Sequence, residues 1–226
     1  MASKPVPPPP LPRLYLATLV TEDPAVLVAS LPELLAKADV AAVLLRLKMT
    51  DQRTLISRIK ALVPVVQPSG AALLIEGHPE LVARGGADGA HIAGIEALPD
   101  AMESLKPDWI AGVGHLPTRH DSMAAGEAGV DYVLFGEPDA QGERPSMEAI
   151  AERLQWWAEL FEPPCVGYAA SLEEAREFAA SGADFVLVGD FIWADPRGAT
   201  AALMDAELAI RQGYAAMLEN AKAEQK

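Results

Sequence analysis

Gly182-Ala183-Asp184-Phe185-Val186-Leu187-Val188 repeats the pattern of Gly129-Val130-Asp131-Tyr132-Val133-Leu134-Phe135, and shorter echoes stand at Gly86-Ala87-Asp88-Gly89 and Ala38-Asp39-Val40. A glycine in this place ends a helix by taking left-handed backbone, and the aspartate can satisfy free N–H donors where a strand begins. The aliphatic run that follows reads as a buried strand. Outward from these segments, short β-branched or aliphatic runs recur near 13–19, 40–47, 71–75, 88–92, 109–113, 131–136, 164–168 and 184–189, so the marked strands are the second, fourth, sixth and eighth. Helical periodicity fills the gaps at 51–62, 146–161, 171–181 and 199–222, and in shorter form near 24–37, 78–84, 95–105 and 117–128. Ser171 with Glu174 has the spacing of a capping box, and Gly182 stands at a helix stop. A pair of βα units occurring four times is what a closed eightfold barrel shows, whereas an open doubly wound sheet does not require it. The sequence therefore predicts one (β/α)8, or TIM, barrel over residues 13–226 behind a proline-rich, disordered tail over 1–12.

Size and composition agree with that architecture. The 226 residues fall slightly below the roughly 250 of a usual α/β barrel. Half of them are hydrophobic, but no apolar run approaches the ~20 residues of a membrane span, and the proline-dense start lacks the features of a signal peptide. Cys165 stands alone, which excludes an intrachain disulfide framework and fits a cytoplasmic location. A formal charge of −14 with no basic stripe argues against a nucleic-acid partner.

In such a barrel, chemistry sits in the loops that follow the strands. Those places hold Arg46 and Lys48 after the second strand, Glu76 and His78 after the third, and His91 and Glu96 around the fourth. His115 and His120 follow the fifth, Glu137 and Asp139 the sixth, Asp190 the eighth. Arg46 and Lys48, at alternate positions, would point the same way from a strand and make a cationic spot suited to a phosphate; the other reading is a salt bridge to rim carboxylates.

The segments Val43-Leu44-Leu45-Arg46-Leu47-Lys48, Gly85 to Ile92 and Gly129 to Gly136, with Leu14-Tyr15-Leu16-Ala17-Thr18 and Gly182 to Val188, resemble the thiamine phosphate synthase family, to which the thiazole tautomerases are related. The resemblance covers most of the chain beyond the tail. It implies a transferase barrel that joins hydroxymethylpyrimidine diphosphate to thiazole phosphate with magnesium, releasing pyrophosphate. Arg46 and Lys48 match the family's Arg-x-Lys at the diphosphate and would be the catalytic pair; His78, His91, His115 and Tyr168 would help to line the phosphorylated substrate.

The sequence departs from the family pattern at several of these places. Asn-Asp after the third strand, which supplies a magnesium ligand, becomes Glu76-Gly77, and His-Leu-Gly-Gln-Glu-Asp becomes His91-Ile92-Ala93-Gly94-Ile95-Glu96. Glu76 and Glu96 either rebuild the magnesium site or are two solvated rim acids. The Thr-x-Thr-Lys loop gives way to the acidic stretch Glu137 to Arg144, and Gly-Gly after the seventh strand to Ala169-Ala170. Asp190 puts a carboxylate where phosphate would approach. The tautomerase histidine falls on Leu116, one residue from His115, leaving His120 as the alternative. These losses support a second expectation, a member that has lost the transfer chemistry and binds or regulates, or that runs another reaction.

Three further features have two readings each. The four histidines could gather around a transition metal, or His91 could be a hydrogen-bonded core residue. Leu154, Trp157, Leu160 and Phe161 would line one apolar face of the helix beginning at Met147, packing on the barrel or forming a homodimer contact with Trp156. Cys165, inside a buried strand with no cationic helper, reads as packing and not as a nucleophile.

Overall fold

The computed structural model describes residues 8–224, so Met1–Pro7 of the expected tail lie outside the described residues. Eight parallel strands close in chain order: β1 (Arg13–Ala17), β2 (Val40–Leu45), β3 (Ala72–Glu76), β4 (Gly89–Ala93), β5 (Ile110–Gly114), β6 (Tyr132–Phe135), β7 (Cys165–Ala169) and β8 (Phe185–Val188). The helices are α1 (Ala25–Lys37), α2 (Gln52–Val66), α3 (Val82–Gly85), α4 (Leu98–Leu105), α5 (Arg119–Glu127), α6 (Met147–Leu160), α7 (Leu172–Ala180), α8 (Asp190–Trp193) and α9 (Ala199–Glu224). This is the single (β/α)8 barrel the repeat called for.

Period-two alternation sorts the strand residues into two cores. Tyr15, Ala17, Leu44, Leu74, Tyr132, Leu134, Val166 and Leu187 fill the barrel axis. Their neighbours Leu14, Leu16, Val43, Leu45, Val133, Phe135, Val186 and Val188 face outward against the helices.

The recurring aspartates stitch the strand entrances together. Asp88 accepts the Leu73 N–H at 2.7 Å, Asp131 that of Ala111 at 2.7 Å and Asp184 that of Cys165 at 2.8 Å, so three even strands each tie down the odd strand beside them. Asp39 differs, because its carboxylate pairs with Arg13 at 2.7 Å. Gly86, Gly129 and Gly182, at φ +80, +82 and +90, turn the chain from helix into these strands.

Two local readings need correction. Ser171 Oγ accepts the Glu174 N–H as a cap should, but the Glu174 carboxylate takes the Ala170 N–H and Arg144, so the reciprocal half of the box is missing. A complete capping box forms instead between Thr118 and Asp121 at the start of α5. On α6, Trp157 is fully buried and donates to the Pro163 carbonyl, while Leu160 is 65% exposed and does not share its face.

Candidate active site

The carboxyl ends of the strands open into two adjoining cavities. The smaller, about 100 Å³, lies over the barrel axis and is lined by Ala17, Leu44, Arg46, Glu76, His115, Leu134, Glu137, Pro138, Tyr168 and Leu187. The larger, about 490 Å³, runs outward from His115, Leu134 and Glu137 between β6 and α6 toward Arg144 and Arg153.

Arg46, at the end of β2, donates through Nε to the Thr18 carbonyl and through its terminal nitrogen to Asp190 at 2.6 Å, with its side chain only 15% exposed. Strand β2 ends at Leu45, but Leu47 still bridges Thr21, and beside that bridge Lys48 pairs with Glu22 at 2.8 Å while 60% exposed. The two cations expected side by side are therefore separated: Arg46 lines the axial cavity and Lys48 lines neither. Asp190, read as a repulsive carboxylate, is the partner that holds Arg46.

Of the remaining expected residues, Glu76, His115 and Tyr168 line the axial cavity. Burial first, and Asp190 next, push the Tyr168 hydroxyl above its ordinary pKa. His78 sits outside both cavities, its ring between Glu80 Oε1 at 3.2 Å and Met49 Sδ at 3.0 Å. Glu96 is exposed on the 3-10 turn Ile95–Ala97, and His120 is exposed on α5. Glu96 lines neither cavity, so it does not join Glu76. Among the described residues no group of three or more His, Cys, Asp and Glu side chains is arranged to hold a metal ion. Glu76 and Glu96 are thus not brought together, and the four histidines do not form such a group.

A buried polar chain crosses the interior instead. Tyr15 Oη lies 2.9 Å from Tyr132 Oη, Tyr132 Oη 3.0 Å from His91 Nδ1, and His91 Nε2 2.8 Å from Glu137 Oε1. Tyr132 is the hydrogen-bond partner the structure gives the Tyr15 hydroxyl, which must donate there or leave its proton unpaired in the core. Tyr132 then donates to Nδ1, placing the imidazole proton on Nε2, from which it goes to Glu137. Burial, with the neighbouring Tyr132, raises the Tyr15 pKa well above its ordinary value, so the end of the chain stays a hydroxyl.

Strand β5 makes room for this chain with two glycines on one face. A Cβ at Gly112 would lie 1.9 Å from Tyr132 Cζ, and one at Gly114 would lie 2.2 and 2.3 Å from the two Glu137 carboxylate oxygens. Next along the chain, His115 adopts φ +50, and its N–H donates to Glu137 Oε2 at 2.8 Å. Glu137, 10% exposed, is thus clamped by two donors at the wall shared by both cavities.

Sequence reasoning placed Glu137 on the rim but gave it no role, and it missed Tyr15 and Tyr132 altogether. The available signal was Gly112-Val113-Gly114, whose bare positions repeat at the period of one strand face. Arg144 was also missed. It bonds the Gly136 and Tyr168 carbonyls, each at 2.6 Å, and pairs with Glu174, so it ties the ends of β6 and β7 together.

A family model described as thiamine monophosphate synthase matches residues 14–192. The chain is similar to the thiamine-phosphate synthase of Rhodospirillum centenum, 38% identical over 197 residues that cover 85% of this chain and 95% of the relative. It is also similar to that of Hyphomonas neptunium, 35% identical over 206 residues covering 87% and 92%. Among solved structures, thiamine phosphate pyrophosphorylase from Pyrococcus furiosus superposes with a TM-score of 0.72 at 20% identity, over 89% of this chain and 96% of that one. The 3-hexulose-6-phosphate synthase of Salmonella typhimurium gives 0.68 at 13% identity over 88% and 99%; at these identities both likenesses speak for the barrel alone.

Proposed function

The chain belongs to the thiamine monophosphate synthase family, and from that membership we propose that it joins hydroxymethylpyrimidine diphosphate to thiazole phosphate in the cytoplasm, releasing pyrophosphate. The observation that carries this reading is likeness spread over nearly the whole length of relatives named for the activity, 95% in one case.

In the reaction the bond between the pyrimidine methylene carbon and the diphosphate oxygen breaks, its electron pair leaving with pyrophosphate. The thiazole nitrogen lone pair then forms the new carbon–nitrogen bond, and no net proton is released. Negative charge grows on the leaving oxygens, and Arg46, already fixed by Thr18 and Asp190, is the cation of the axial cavity that can meet it without reorganising. The apolar floor of Ala17, Leu44, Leu134 and Leu187 fits a flat ring and excludes water beneath it. Lys48, held at Glu22, acts at most from outside this cavity.

One observation favours a second reading. Arg46 is already paired with a carboxylate, and Glu76 and Glu137 share its cavity, an environment better suited to a neutral or cationic ligand than to a bare diphosphate. Under that reading the barrel binds a small molecule without transferring anything.

Incubating the purified protein with both substrates and magnesium, and assaying thiamine phosphate, tests the two. Formation of product that falls at least about tenfold in Arg46→Ala, the scale of one charge-assisted contact, supports the transferase. No product from the wild-type protein rejects it in favour of the binding barrel.

A further inference from the structure

We propose that Glu137 is the residue that selects the heterocycle: its clamped carboxylate takes the N–H edge of an aminopyrimidine-type ring, while Arg46, which lines the same cavity, takes the ring's anionic arm. The identity of the ring rests on the transferase reading; the requirement for an N–H edge rests on the geometry of Glu137.

An ionised carboxylate accepts at about four lone-pair positions and donates at none. Two of these are filled, by His91 Nε2–H at 2.8 Å and the His115 N–H at 2.8 Å, and both donors fix the carboxylate plane against the bare face of Gly114. The other two remain for a ligand at a wall common to both cavities. The His91 proton cannot be withdrawn to suit another partner, because Tyr132 occupies Nδ1 and is itself held by Tyr15. Glu137 therefore faces the ligand as a rigid acceptor.

The cavity it faces is small, with an apolar floor and five polar or charged side chains around it. Its volume is only about 100 Å³, against about 490 Å³ for the outer cavity it adjoins, so it suits a single small ring. Ala17, Leu44, Leu134, Pro138 and Leu187 offer such a ring no hydrogen bond, so its polar edges fall to Glu137, Glu76, Arg46, His115 and Tyr168, of which only the two glutamates are acceptors without a donor of their own. A phosphate at Glu137 would meet a carboxylate that has no proton to donate, with the His91 Nε2–H and His115 N–H already spent on it. A ring carrying an exocyclic amino group instead gives that carboxylate a charge-assisted bond, and its anionic substituent falls to Arg46. The result is a bipolar cavity that fixes the direction in which the ring enters.

The test uses ligand binding separate from turnover. An aminopyrimidine bearing a hydroxymethyl group on the neighbouring ring carbon, and the same ring with hydrogen in place of the amino group, are titrated by calorimetry into wild-type protein, Glu137→Gln and Arg46→Ala. The amino compound is expected to bind the wild type roughly 10- to 100-fold more tightly, the range for a hydrogen bond to a charged group. That preference should shrink below about threefold in Glu137→Gln and survive in Arg46→Ala. The wild-type comparison needs no variant to fold, and near-ultraviolet circular dichroism checks Glu137→Gln. A preference that persists in Glu137→Gln, equal affinities in the wild type, or no binding of either compound overturns the proposal. Thiamine phosphate assays on the same preparations keep the two readings apart. Product without a Glu137-dependent preference retains the transferase and removes this role, and a Glu137-dependent preference without product does the reverse.

Discussion

Replacing Gly114 by alanine should disconnect the polar chain at its outer end. The new Cβ would sit 2.2 and 2.3 Å from the Glu137 oxygens, so the carboxylate must swing into the cavity. His115 lies at the solvent-accessible rim and can find water. His91 Nε2–H, on a side chain only 4% exposed, cannot, and a buried donor without a partner costs about 1–3 kcal/mol. Gly114→Ala is therefore expected to destabilise by about that amount. Glu137→Ala removes the same acceptor and should cost a similar ~1–3 kcal/mol. The double variant loses that bond only once and has no clash, so it should be no less stable than Glu137→Ala alone, a non-additivity of about 1–3 kcal/mol. Urea unfolding followed by tryptophan fluorescence measures all four corners of the cycle, a shift in midpoint at unchanged slope reporting stability. Additivity within ~0.5 kcal/mol would mean that the carboxylate does not rest on Gly114, and the reasoning would fail. Gly112→Ala is the internal comparison. Its Cβ would strike a ring wedged between Tyr15 and His91 with nowhere to go, so its cost belongs at the top of the overpacking range, about 3 kcal/mol.

Steady-state kinetics should separate the two cations: Arg46→Ala lowers kcat/KM for the diphosphate substrate by roughly 10- to 100-fold, whereas exposed Lys48→Ala changes it by less than about threefold. Asp88→Ala strands the Leu73 N–H and should lower stability by about 1–3 kcal/mol in urea unfolding. Burial raises the Cys165 thiol well above its ordinary pKa, so a disulfide reagent should label it only at the rate of unfolding, and fast labelling of native protein would contradict its placement. Thr118 holds the Asp121 carboxyl below its ordinary value, so that contribution is complete above the unfolded Asp pKa of about 3.9 and is lost as pH falls through the lowered folded value. Stabilities of wild type and Thr118→Ala, measured by denaturant from neutral to acid pH, should accordingly draw together below pH ~3.9.

The fold was legible because its signals are local. A short aliphatic run needs only adjacent residues, and Gly-x-Asp before it reports a helix end and a strand start within a few positions. Asp88, Asp131 and Asp184 perform the donor-capping that this pattern implied. Family membership was legible for the same reason, since it depends on the order and spacing of such segments.

The site was legible only in part. Arg46, Glu76, His115 and Tyr168 fall on the axial cavity because each sits at or just past a strand end, a place the sequence marks. Which charges pair across the rim is another matter. Arg46 finds Asp190, 144 residues away, and Lys48 finds Glu22 beside a bridge between Leu47 and Thr21 that no local pattern announces. Tyr15, His91, Tyr132 and Glu137 come from the first, fourth and sixth strands and the loop after the sixth, and no spacing along the chain relates them. By itself the sequence determined the barrel and the family. Only closure of the barrel, which links four distant side chains and seats Tyr132 and Glu137 on the bare face of β5, decided where Glu137 stands.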